Sequence, residues 1–150
     1  MPKVKLFLDS SALIAGVISP TGGARALLFL AEAGAISIVV SGQVIAESER
    51  AIAKKAPGAV DNFRKAVRIS VDQILRDPNL NEVKKHHGII KHKVDVPIVV
   101  AAMNGEVDFL VTLNRKHFID DPGVARKTGL KIGTPGDALE WLRQIDLIAD

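Results

Sequence analysis

Asp9, Glu47, Asp95 and Asn114 are the residues of this chain whose types could do chemistry together, and each lies in a short polar island beside an apolar run. The islands read LFLDSSALI, VIAESER, VDVPIVVAAM and DFLVTLNRKHF, the last of which also carries Asp108. Carboxylates gathered in one place repel one another unless a cation neutralises them, so three of them create a demand for a hard divalent ion. Oxygen donors suit Mg2+ or Mn2+ over zinc, and the chain has no cysteine to offer a thiolate. A cation held this way is suited to phosphodiester hydrolysis.

The elements around these islands decide whether they can meet. KVKLFL reads as a mostly buried strand of about six residues, and Asp9 at its end falls on the carboxyl edge of the sheet, where open α/β folds collect ligands. An ionised carboxylate there is costly to bury unless it is hydrogen-bonded, paired or bound to a metal. Two readings of Asp9 stand at this level: a metal ligand, or a cap for the turn at Ser10-Ser11. Asp95 caps the short apolar helix VDVPIVVAAMNG, with Pro97 in its first turn, and a cap in that place also faces the sheet edge. Glu47 lies about 40° from Ala51 and about 60° from Val44 around its helix, near the buried stripe, and taken alone reads as a surface glutamate at the seam. Asn114 follows the strand DFLVTL as Asp9 follows KLFL, and Thr112 adds a hydroxyl just before it. Asp108 opens that strand, belongs to the opposite edge, and reads as structural.

Ser10 and Ser11 are expected to cap the helix ALIAGVI, which Pro20 ends; GGARALLFLAEAGA is a second helix closed by Gly34. ISIVV is a strand, Ser41 caps QVIAESERAIAKKA, and AVDNFRKAVR is amphipathic and helical after the Pro57-Gly58 break. Within 69–93, ISVDQIL reads as a strand and NEVKKHHGIIKH as helix or loop. DFLVTL and LKIGT supply the last strands, and PGDALEWLRQI a closing helix. Strands alternating with helices imply an α/β fold, a three-layer α/β/α sandwich around a mostly parallel sheet.

The 150 residues, 47% of them apolar, suit one domain spanning 1–150 with a core that needs no staples. The absence of cysteine and of a visible secretion signal fits a cytoplasmic protein, and the longest apolar run, PIVVAAM, is far too short to cross a bilayer. The net charge of +3 says little, but its placement says more. Lys84, Lys85, Lys91 and Lys93, with His86, His87 and His92, precede Asp95, while Arg115, Lys116 and His117 follow Asn114. Basic groups on both sides of the acidic islands suit an anionic substrate. The three histidines are not read as a metal cluster of their own. Asp120 and Asp121 offer a further carboxylate but read as a polar turn before Pro122-Gly123.

Taken together, LDSSALI, VIAESER, DVPIVVAAM as a D-x-x-I-x-x-A-A element, DFLVTLNRKHF as a strand followed by T-x-N and Phe, and the tail KIGTPGDALEWL resemble the PIN-domain superfamily of metal-dependent ribonucleases. The resemblance spans nearly the whole chain. It implies metal ligation by Asp9, Glu47 and Asp95, with Asn114 as the fourth catalytic position and Ser10 and Thr112 orienting ligands or water from behind. That fourth position is often Asp in the family, so Asn114 is a departure that weakens a second metal site. The resemblance further implies Mg2+ or Mn2+ as cofactor, single-stranded or looped RNA as substrate, a homodimer, and a toxin of the VapC kind with a small antitoxin partner. Phosphate contacts would fall to Lys84, Lys85, Lys91, Lys93, Arg115 and Lys116, since Tyr is absent and aromatics are 4% of residues, too few for extensive base stacking. The alternative is a PIN domain that binds RNA or a partner without catalysis. A receiver-type phosphoacceptor fits poorly, because no second acid accompanies Asp9.

Overall fold

Lys5–Leu8 forms strand β1 in the computed structural model, which describes residues 2–150. Leu6, Phe7 and Leu8 are all fully buried. An unbroken apolar run rather than an alternating one marks a parallel strand covered on both faces. The same holds for β2, Ser37–Ser41, and β4, Phe109–Val111, whose residues are all buried. β3, Val71–Leu75, is an exposed edge, and β5, Ile132–Gly133, is the short opposite edge.

The strand order is β3-β2-β1-β4-β5 and every pairing is parallel, with helices on both faces of the sheet. The chain steps outward from β1 through β2 to β3, then crosses back to β4 and β5 on the other side. The reversal leaves a crevice at the carboxyl ends of β1 and β4, the place where such sheets bind ligands.

Helices α1 (Ser10–Ile18), α2 (Gly23–Glu32), α3 (Gly42–Lys55) and α4 (Val60–Ser70) precede β3. α5 (Leu80–Lys85) and α6 (Val96–Asn104) lead to β4, α7 (Pro122–Thr128) to β5, and α8 (Pro135–Gln144) follows it. Local chemistry sets most of these ends. The Ser41 hydroxyl accepts from the Val44 N–H at 3.3 Å, as expected, and capping boxes open α5 (Asn79 with Glu82) and α8 (Thr134 with Asp137). After α2 the chain turns through Gly34 at φ +83°, where the Gly34 and Ala35 N–H groups return to the carbonyls of Ala31 and Leu30.

The structure corrects several local expectations. Asp9, not Ser10 or Ser11, caps α1, and both serines lie inside that helix. Ile69 and Ser70 belong to α4, so β3 begins two residues later than ISVDQIL suggests. The strand in DFLVTL is three residues long. NRKHFIDDPGVARKTG contains a π-helical turn, Arg115–Ile119, and then α7.

One contiguous cluster from Leu6 to Leu142 makes the core, and α6 contributes Val96 and the whole run from Ile98 to Ala102. No single helix among the described residues is long and apolar enough to cross a membrane. Leu110 is fully buried between β1 and β5 in the sheet. Leu110→Ala removes its packing and leaves a cavity, so it should lower the unfolding free energy by about 2–5 kcal/mol, read from the urea midpoint at unchanged slope.

Candidate metal centre at the sheet edge

The β1–β4 register pairs Leu8 with Val111, which sets the next residues, Asp9 and Thr112, side by side at the carboxyl edge. The Asp9 N–H still donates to the Val111 carbonyl at 3.1 Å. The Thr112 hydroxyl donates to Asp9 Oδ2, while Oδ1 accepts from the Ser11 hydroxyl at 2.6 Å and from the Ala12 N–H at 3.0 Å. Asp9 is 4% exposed. Burial drives its pKa upward; the bonds from Ser11, Thr112 and Ala12 pull against that, and the negative charge of Asp95 adds a further upward push. The net direction is up. Among the described residues no Lys or Arg forms an ion pair with this carboxylate.

Asp95 ends a 3-10 turn, Lys93–Asp95, just before α6. The expectation that its side chain caps α6 does not hold: it makes no cap bond, and Pro97 in the first turn needs one donor fewer satisfied. Its Oδ2 instead meets His117 Nδ1 at 2.9 Å. His117 is fixed twice more: its N–H donates to Asn114 Oδ1 at 3.2 Å, and its ring stacks on His92 with centroids 3.3 Å apart and 15° between planes. The Asn114 N–H in turn donates to the Thr112 hydroxyl at 2.9 Å. Asp9, Thr112, Asn114, His117 and Asp95 therefore form one chain of contacts along the crevice.

Glu47 is half-buried on α3, and its Oε2 accepts from Gln43 Nε2 at 3.2 Å. The same amide donates to the Val94 carbonyl at 3.0 Å, so Glu47 reaches the residue before Asp95 through one side chain. The start of α3 is held by Asp77, whose Oδ1 accepts from the Gln43 N–H at 3.0 Å. A Cβ at Gly42 would lie 2.8 Å from Asp77 Oδ2, so a larger residue there would push that carboxylate aside.

No three His, Asp or Glu side chains among the described residues are close enough to hold one metal ion between them. The expected cup of three carboxylates is therefore not assembled as one cluster. Asp9 and Asp95 feel each other's charge, and Glu47 stands one link away. That donor set still fits a Mg2+-type ion, which keeps several waters and takes only one or two carboxylates directly. The buried Asp9 carboxylate, lacking a cationic side-chain partner, is the part of the set that a cation would relieve.

The remaining expected residues scatter. Ser10 lies in α1 without a bond to Asp9; Ser11 holds that place. Lys91 and Lys116 line one cleft with His92 and His117, whereas Arg115 lines a separate hollow beside Gly22, Gly23 and Pro135. Lys93 is exposed in the turn before Asp95. Lys84 and Lys85 end α5, which Glu82 ties to Asn104 at the far end of α6, away from Asp95. Asp121 caps α7 through the Gly123 N–H at 2.9 Å, and Asp108 accepts from the Lys5 N–H at 2.8 Å on the amino edge, both structural roles as expected. Ser11, Gln43 and His117 are the residues that sequence reasoning missed. Each carries a local signal: a hydroxyl two residues after an Asp, a Gln four residues before a Glu on one helix, and an N–H three residues after an Asn.

Two measurements check this geometry. Thr112→Val keeps the shape but strands Asp9 Oδ2 and the Asn114 N–H, so it should cost about 1–3 kcal/mol in denaturant unfolding. For pH the sign is fixed by Asp9. Its raised folded-state pKa favours folding below the unfolded value and loses that contribution as pH rises through the folded one. Asp9→Asn should therefore gain stability over the parent as pH rises, measured in chelator; a difference flat in pH would contradict the burial of the charge.

The PIN domain family model matches residues 5–116. Among curated proteins, no sequence matches the chain. Among solved structures, PAE2754 from Pyrobaculum aerophilum is similar, at 20% identity and a TM-score of 0.64 over 94% of this chain and 96% of that one. VapBC2 from Rickettsia felis, solved bound to a DNA fragment from its promoter, is similar at 16% identity and a TM-score of 0.58, over 87% of this chain and 98% of that one. FitAcB from Neisseria gonorrhoeae stands at 18% and 0.57, over 87% and 98%. The parallel sheet, its order and the family match agree: the chain belongs to the PIN domain family.

Proposed function

We propose that the chain is a Mg2+- or Mn2+-dependent endoribonuclease, acting as one domain over residues 1–150 in the cytoplasm. The observation that carries this is Asp9: a carboxylate 4% exposed at the switch point of the sheet, beside a second carboxylate and without a cationic side-chain partner. Three hydrogen bonds hold that carboxylate without compensating its charge, which is what a site for a hard cation requires.

Asp9 and Asp95 would hold the ion directly and Glu47 through water. When bound there, a divalent cation supplies an acidified water and positive charge against the phosphate. The protein's own part is orientation. Thr112 and Ser11 fix both oxygens of Asp9, His117 fixes one oxygen of Asp95, and Gln43 aims Glu47 toward the same edge, where it can accept a proton from the attacking water. Asn114 supports the catalytic set by bridging Thr112 and His117. Lys91, Lys93, Arg115 and Lys116 are exposed around the crevice and would meet the phosphates of a single-stranded or looped RNA, so binding should weaken with salt.

The solved relatives named for VapBC2 and FitAcB are complexes of paired proteins. That likeness in fold supports a toxin role for this chain beside a small antitoxin; a homodimer as its working form rests on the family resemblance alone. A second reading, RNA or partner binding without catalysis, draws on Asn114, whose oxygen is neutral and already engaged with His117, and on the two-carboxylate reach of the site.

Asp9→Asn and Asp95→Asn should each abolish Mn2+-dependent cleavage of RNA while circular dichroism shows the fold intact; undiminished cleavage by either removes the nuclease assignment. Calorimetry separates the two readings. The nuclease should bind Mn2+ saturably and gain about 2.7 kcal/mol of stability at a hundred times Kd, a gain that Asp9→Asn erases. RNA binding in chelator with no saturable Mn2+ uptake would favour the second reading.

A further inference from the structure

The cleft beside Asp95 has features that cation chemistry does not use. It holds about 250 Å3 and is lined by Lys91, His92, Lys116, His117, Asp120 and Asp121. Its centre is the stacked imidazole pair, in which His117 is anchored on Asp95 and His92 is exposed. Two flat rings fixed at one end form a platform that a third flat ring can extend, and base stacking on such platforms tolerates any base because every base has a π-face. Lys91 and Lys116 are exposed and form no ion pair with a carboxylate among the described residues, which leaves both free for phosphate. Asp121 spends Oδ1 on the Gly123 N–H, whereas the exposed Asp120 side chain is not engaged in that cap. A carboxylate only accepts, so it pairs with the exocyclic amino group of cytosine, adenine or guanine, whereas on uracil it meets only the ring N3–H, set between two carbonyl oxygens that repel it.

We propose that this cleft is a nucleotide subsite for single-stranded RNA, next to the bond that is cut. A base stacks on the outer face of His92, its phosphates meet Lys91 and Lys116, and Asp120 accepts from the base's amino group. The inference rests on the nuclease reading for its substrate. It places base stacking on a histidine in a chain without tyrosine. It also gives the enzyme a preference for amino-bearing bases on one side of the scissile bond, read from the Watson–Crick edge of an unpaired base.

The test is fluorescence anisotropy of labelled oligo(C) and oligo(U) octaribonucleotides with the full chain in chelator, so that no cleavage intrudes. The parent should bind oligo(C) more tightly than oligo(U). His92→Ala should weaken oligo(C) binding by about fivefold or more, and His92→Phe should restore it, which a merely structural role for His92 would not do. Asp120→Ala should erase the preference for oligo(C), and Lys91→Ala or Lys116→Ala should each reduce the salt slope by about one. Binding by the parent that His92→Ala leaves unchanged, or that Phe fails to rescue, overturns the subsite and leaves the nuclease reading intact. Equal affinity of the parent for the two oligomers overturns the role of Asp120. A parent that binds neither oligomer overturns both the subsite and the RNA substrate.

Discussion

The parallel pairing of β1 with β4 is the constraint on which the rest of this protein depends. Because Leu8 lies opposite Val111, the first residue beyond each strand must lie beside the other, and those residues are Asp9 and Thr112. A buried carboxylate needs donors, and the register delivers one from a hundred residues away in the sequence. The other donors are local, from the first turn of α1. A slip of one residue would leave β4 apolar on both faces but would separate the pair.

From that pair the crevice is built outward by residues that each make two bonds. The Thr112 hydroxyl donates to Asp9 and accepts from Asn114, the Ser11 hydroxyl donates to Asp9 and accepts from Leu113, and the Gln43 amide donates to both Glu47 and Val94. Such shared groups couple α1, α3, the approach to α6 and the segment after β4, so the acidic side chains are held by the packing of four elements. The direct contact between Asp95 and His117 is the least symmetric part. It gives Asp95 a neutral or cationic neighbour that a bound metal would have to share.

The fold and the positions of Asp9 after β1 and Asp95 before α6 were legible in the sequence because both depend on short-range signals. Short apolar runs mark the buried parallel strands and the buried helix α6; Asp9 directly follows the first strand and Asp95 directly precedes α6. The PIN resemblance needed only those motifs in order, and the family match over 5–116 bears it out. What was not legible is long-range or conditional. Asp95 looks like a cap by type and place, yet a proline-bearing first turn leaves its side chain free for His117, a partner 22 residues on. Lys84 and Lys85 sit close to Asp95 in sequence, but α5 carries them to the other end of α6. The helix α7 was hidden because its seven residues carry little periodicity and begin at a proline.

The π-helical turn Arg115–Ile119 closes with a bond from the Asp120 N–H to the Arg115 carbonyl at 2.8 Å, one residue wider than an α-turn. Inside it Phe118 is buried while its neighbour His117 faces the crevice. Adjacent side chains on a helix diverge by about 100°, so shortening or lengthening the loop by one residue would trade these two places, exposing the anchor and burying the imidazole. The length of this stretch is therefore set by the need to keep an aromatic wedge and a polar ring on different sides of the same short coil.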